Sequence, residues 1–124
     1  MEIKKEYFFD SYAIIEILRH NPNYLKYIES NVVITIFNLI EICWSVYKDF
    51  DEEKMHEEYN KFKDCVYDLD DSIIINALEF RMKYKNRDLS YADCIGYSYA
   101  KENNLIFLTG DKEFKDLPNV EFVK

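Results

Sequence analysis

The stretch Asp88–Lys115, DLSYADCIGYSYAKENNLIFLTGDKEFK, decides how this chain folds. Ser90 opens a helix, since its hydroxyl can accept from a free amide of the first turn, and Asp93 follows three places on. Asn103-Asn104 forms the loop that ends it, Leu105–Leu108 is a short apolar strand, and Thr109-Gly110 turns the backbone to present Asp111. Ala92, Gly96 and Ala100 lie on one helical face as a ridge of small residues. Glycine inside a helix costs about 0.8–1.0 kcal/mol relative to alanine, so Gly96 points to a helix seated close on a sheet. Near the other end of the chain, Tyr7-Phe8-Phe9-Asp10 is another strand that ends in an acid. Two such strands side by side and parallel bring Asp10 and Asp111 together at their carboxyl ends, where open α/β sheets keep their sites.

The intervening sequence supplies crossovers. Ser11 is expected to cap a helix from Tyr12 to about Arg19, stopped by Asn21-Pro22, with a brief helical piece from Tyr24 to Ile28. Val32-Val33-Ile34 reads as a β-branched strand with Thr35 as a cap. The helix from Ile36 to about Tyr47 is expected to bury Ile36, Leu39, Ile40, Cys43, Trp44 and Tyr47, with Glu41 on the border of that face. Asp51–Lys63 makes a charged second arm of a helical hairpin. Cys65-Val66-Tyr67 reads as a third strand, and Asp70 or Asp71 caps a helix carrying Ile74, Ala77, Leu78, Arg81 and Met82. Val120–Val123 is a last strand after Pro118. Strands separated by helices require crossover connections, hence an α/β protein with a mostly parallel sheet covered on both faces.

The totals exclude several function classes. A chain of 124 residues with two glycines and two prolines is one globular domain, residues 1–124, with a single core of ordinary size. No apolar run is long enough to span a membrane, and MEIKKEYFF is no signal peptide, so a cytoplasmic protein is expected. Cys43, Cys65 and Cys94 are odd in number and widely spaced, and His20 and His56 are isolated, which leaves neither a zinc site nor a Ser-His-Asp triad. A net charge of -8 and a pI near 4.8 exclude a broad basic face for nucleic acid. The local cluster Lys83, Lys85 and Arg87 around Tyr84 reads as the solvated cationic end of a helix.

Asp10, Glu41, Asp93 and Asp111 each have an ordinary reading as a cap, a boundary residue or a turn acid. Ser90-x-x-Asp93 in particular fits a capping box. Their joint placement at strand ends and on a helix edge is what singles them out. Carboxylates about 6 Å apart repel by roughly 3 kcal/mol at an effective dielectric near 20, so such a group binds protons or a cation. Oxygen donors alone select a hard ion, Mg²⁺ or Mn²⁺.

Asp10-Ser11 after a first strand, Glu41 in the helix after Val32–Thr35, Asp93 in its helix, and Thr109-Gly110-Asp111-Lys112-Glu113-Phe114 together resemble PIN domains, in particular VapC-type toxin ribonucleases. The resemblance runs in order along nearly the whole chain. It implies a three-layer α/β/α sandwich with a five-stranded sheet in the order 3-2-1-4-5. It also implies a Mg²⁺-dependent ribonuclease, with Mn²⁺ as substitute, whose acidic quartet is Asp10, Glu41, Asp93 and Asp111. Asp10, Asp93 and Asp111 would serve the metal, with Ser11 and Thr109 in support. An RNA substrate, a homodimer and an antitoxin partner contacting Trp44, Tyr47, Phe50, Met55 and Tyr59 are further implications. The competing readings are a PIN-like module that binds a protein and cleaves nothing, a nuclease of RNA processing outside any toxin-antitoxin pair, and, less well matched, a receiver domain using Asp70 or Asp71.

Overall fold

The computed structural model describes residues 4–124. In chain order the elements are β1 (Tyr7–Phe9), α1 (Ser11–Leu18), α2 (Ile36–Asp49), α3 (Glu52–Phe62), α4 (Asp71–Lys83), α5 (Tyr91–Glu102), β2 (Ile106–Thr109) and β3 (Val120–Phe122). Short 3-10 turns occupy Pro22–Tyr27, Lys63–Cys65 and Lys112–Phe114.

The three strands pair in parallel in the order β1-β2-β3, with Phe8 opposite Phe107 and Leu108 opposite Glu121. Five strands were expected, and the described residues form three. The other two segments are present as single rungs beyond β1. Phe9 N–H donates to the Val33 carbonyl at 3.1 Å, and Ile34 makes one parallel bridge to Val66. Neither segment has the length for a ladder. Thr35 already caps α2 and a 3-10 turn spans Lys63–Cys65, so pairing is confined to the Val33 carbonyl on one side and, on the other, to the bonds of Ile34 with Cys65 and Tyr67.

Side chains alternate across a strand, and this splits the interior into two cores. Phe8 and Phe107 face α4 and α5, packing with Ile73, Ala77, Ile95, Tyr97, Tyr99 and Phe114. Phe9 and Leu108 face the other way, against Ala13, Ile14, Leu39, Ile42 and Phe62 from α1, α2 and α3. The small-residue ridge of α5 is where expected: Ala92, Gly96 and Ala100 are all buried, and a methyl at Gly96 would stand 2.7 Å from Phe8 Cε1. Asn104, in the loop before β2, takes a left-handed φ of 56°, which asparagine tolerates better than most residues.

The inner faces of two helices differ from the expected ones. In α2 the buried set is Asn38, Leu39, Ile42, Cys43 and Val46, whereas Ile36, Ile40, Trp44 and Tyr47 are exposed, Ile40 by 60% and Trp44 by 64%. In α4, Ile73 and Ala77 are buried while Ile74, Leu78 and Met82 face out. Both helices carry apolar residues on more than one side, and a count of hydrophobicity around the axis does not tell the core face from a surface stripe. Cys43 and Cys94 are buried free thiols, Cys65 is half-buried, and both histidines lie at the surface.

Candidate active site

β1 delivers Asp10 directly into the first turn of α1. Asp10, rather than Ser11, is the cap: its Oδ1 accepts the Ala13 N–H at 2.9 Å, and Ser11 is the first helical residue. The other oxygen, Oδ2, accepts from the Thr109 hydroxyl at the end of the neighbouring strand. Asp10 is only 3% exposed, and that burial pushes its carboxyl up to about 8. The hydrogen bonds from Thr109 and Ala13 oppose the shift, while the charges of Asp93 and Asp111 add to it.

Thr109 ties the two strand ends together. While donating to Asp10, its Oγ1 accepts the Asp111 N–H at 3.0 Å, and Asp111 Oδ1 accepts the Glu113 N–H at 3.0 Å to cap the turn Lys112–Phe114. Gly110 is required here because an added Cβ would lie 2.5 Å from the Val123 carbonyl oxygen and inside the contact distance of the Tyr12 ring.

Asp93 fills its expected role as a cap. Its Oδ2 accepts the Ser90 N–H at 2.9 Å and Ser90 Oγ accepts the Asp93 N–H at 3.0 Å, a complete capping box. Burial nevertheless pushes the Asp93 carboxyl up to about 6, against the bond from Ser90 and with help from the charges of Asp111 and Glu41. Only Oδ2 is committed to the cap. Glu41 comes in from α2, half-buried, with Oε1 accepting the Ser11 hydroxyl at 2.6 Å.

The four carboxylates therefore share one electrostatic neighbourhood. Asp93 and Asp111 act on Asp10, and Asp111 and Glu41 act on Asp93. Among the described residues no three acidic, histidine or cysteine side chains stand in a ready-made coordination sphere. The donor set is all oxygen, and two of its members are strained by burial and by their neighbours. Those properties suit a hard divalent ion that takes one or two carboxylates directly and keeps waters in its remaining positions.

One residue of this constellation lies outside the expected set. Asn38 is 2% exposed; its Nδ2 donates to Ser11 Oγ at 3.0 Å, and its Oδ1 accepts from both the N–H and the hydroxyl of Thr35 at 2.9 Å. The signal was there in Thr35-x-x-Asn38, a capping-box spacing with asparagine in place of glutamate or glutamine.

The remaining candidates resolve as ordinary structure. Of the basic cluster, Arg87 pairs with Asp116 at 2.8 Å and donates to the Glu113 carbonyl, bracing the turn after Asp111, while Lys83 lies in the last turn of α4. Asp70 is the exposed cap of α4. Between α2 and α3 an apolar groove of about 420 Å³ is lined by Ile36, Ile40, Trp44, Tyr47, Met55 and Tyr59. Phe50, expected with them, lines a different cavity with Ile17, Leu18 and Ile28.

A parallel sheet flanked by helices, with acids at the carboxyl ends of its first two strands, defines an α/β domain with a candidate acidic site. The family model for the PIN domain matches residues 7–120, and the chain belongs to that family. No curated protein matches it in sequence. Solved structures with the same fold include VapC20 of Mycobacterium tuberculosis, a toxin that cleaves the sarcin-ricin loop. It has a TM-score of 0.78 and 12% identity, covering 96% of this chain and 100% of that one. A toxin-antitoxin complex from Klebsiella pneumoniae has a TM-score of 0.73 and 19% identity, covering 94% and 96%. VapBC2 from Rickettsia felis, bound to a DNA fragment from its promoter, has a TM-score of 0.70 and 18% identity, covering 95% and 98%. Among the described residues no helix is long and apolar enough to cross a membrane.

Proposed function

We propose that this PIN-domain protein is a Mg²⁺-dependent endoribonuclease, with Mn²⁺ able to substitute, and that it is the toxin of a toxin-antitoxin pair. The observation that carries the reading is the convergence of Asp10, Asp93, Asp111 and Glu41 from four separate elements, with Asp10 and Asp93 both shifted upward by burial and by the charges of their neighbours. A cluster of acids this unfavourable on its own is understandable in a site that works with a cation bound.

Asp10 and Asp93 are the residues assigned to hold the ion, with Asp111 and Glu41 acting through water. When bound, a divalent cation supplies a polarised phosphoryl oxygen and a bound water of lowered pKa. The chain's own contribution is placement. Thr109 fixes Asp10 relative to Asp111, Ser90 fixes Asp93, and Ser11 fixes Glu41. With the cation in place the site also becomes attractive to phosphate, which the protein's acidity otherwise opposes.

The groove between α2 and α3 supports the toxin-antitoxin part of the reading. Its exposed apolar residues form a contiguous surface of the kind that takes an amphipathic partner segment, and two neighbours in fold are by name a toxin and a toxin-antitoxin complex.

The test is RNA cleavage by the purified chain with Mg²⁺ and with EDTA. Cleavage should need the metal, and Asp10→Asn and Asp93→Asn should each lower it by at least about 100-fold while circular dichroism stays native. Full activity in either variant, or undiminished cleavage in EDTA, would discard the assignment.

A further inference from the structure

The hydrogen bonds leading to Glu41 run in one direction only. A backbone N–H can only donate, so the Thr35 N–H at 2.9 Å fixes which end of the Asn38 amide is oxygen. Nδ2 must then be the end that meets Ser11 Oγ at 3.0 Å, and an amide nitrogen has no lone pair to offer. Ser11 accepts there. Its single proton is left for Glu41 Oε1, at 2.6 Å. Every link from Thr35 to Glu41 has its donor and acceptor decided by the one before it, and the first is set by the backbone.

Thr35 and Ser11, the two residues that Asn38 links, are anchored in the sheet region. Thr35 follows Ile34, which bridges to Val66, and Ser11 follows Asp10 at the start of α1. Asn38 is itself buried and has every polar atom engaged, so it has no freedom to turn over. Charge-assisted bonds to a carboxylate are the strong ones, and this one holds Oε1 in a stated direction while leaving Oε2 for the cluster.

We propose that Asn38 is a positioning residue of the site: by filling the acceptor side of Ser11 it turns the hydroxyl proton toward Glu41 and holds that carboxylate facing Asp93. Asn38 touches no reacting atom and acts through Ser11. The role rests on the nuclease reading for its effect on rate, whereas the polarity of the chain does not.

A double-variant cycle tests it, with RNA cleavage measured at saturating Mg²⁺ and folding followed by thermal unfolding. Asn38→Asp keeps the shape and the acceptor that caps α2 but has no donor, so Ser11 faces an acceptor on both sides. Asn38→Leu removes the donor without adding charge, and with it the acceptor that caps α2, a loss read in the thermal unfolding. Each of these and Ser11→Ala should lower kcat by about 10- to 100-fold, with KM for RNA within about twofold. In the Ser11→Ala background Asn38→Leu should cost nothing further, because no hydroxyl remains to direct. Ser11→Thr, which keeps the hydroxyl, should restore both the rate and the sensitivity to Asn38. The side-chain amide protons of Asn38 provide a readout independent of activity: they should resist solvent exchange in the parent chain and lose that protection in Ser11→Ala. Losses that multiply in an active enzyme, or a fully active and folded Asn38→Asp, would overturn the positioning role alone. A protected amide in a chain that cleaves no RNA with Mg²⁺ would overturn the nuclease reading and the role with it.

Discussion

Asp10 is a carboxylate that the fold buries almost completely, between two hydrogen-bond donors and two negative neighbours. Its pH behaviour without metal follows from linkage. The folded-state value, about 8, lies above the unfolded one, so between them the folded chain keeps a proton that the unfolded chain has lost. Stability from this group is therefore greatest at low pH and falls as pH rises toward 8. Asp93 contributes in the same sense up to about 6. In EDTA, the melting temperature should fall between pH 5.5 and 8.5, and Asp10→Asn should flatten that fall. Because bound carboxylates must be deprotonated, Mg²⁺ should raise the melting temperature more at pH 8 than at pH 5.5. Flat melting curves in EDTA, identical in parent and variant, would contradict this account of Asp10.

At the scale of elements, the placement of α5 depends on Gly96 as much as on Ser90. The Phe8 ring fills the space where a side chain would go, and the ring is itself packed against Phe107 and Tyr99. Gly96→Ala gains helix propensity of about 0.8–1.0 kcal/mol but must push the ring or the helix aside. Overpacking of this kind costs about 1–3 kcal/mol, so the variant should melt lower than the parent. A melting temperature at or above the parent's would show that the ridge is loose. Such tight positions were legible in the sequence because a glycine inside a helix has few other reasons to be there. Asp93 was legible as a cap, from the Ser90-x-x-Asp93 spacing. The inner face of α2 was not. Ile36, Ile40, Trp44 and Tyr47 make a stripe as apolar as Leu39, Ile42 and Val46, and only tertiary packing decides which stripe is the core. Asn38 escaped for the same reason, since it lies on the Leu39, Ile42 and Val46 side that tertiary packing buries. The strands at 32–34 and 65–67 were legible as extended segments, but whether a segment earns more than one rung depends on the caps and turns that close in on it.

For the whole molecule, the central tension is an acidic protein proposed to bind a polyanion. Twenty-four acids face sixteen lysines and arginines, and of the cations near the site Arg87 is engaged with Asp116. RNA affinity should therefore depend on the divalent ion and only weakly on monovalent salt. A single-strand binder that neutralises six phosphates shows a log-log salt slope of about −4, and this chain should show one shallower than about −2. A steep slope with no divalent requirement would point to a basic surface formed by a second copy or a partner. The claim on which all of this depends is that one cation joins side chains from β1, α5 and the turn after β2. The direct measurement is anomalous scattering from crystals soaked in Mn²⁺. A single strong peak within coordination distance of Asp10 and Asp93, with Asp111 and Glu41 around it, is the result expected. A soaked crystal with no anomalous density among these four residues, and manganese bound elsewhere on the surface, would contradict it.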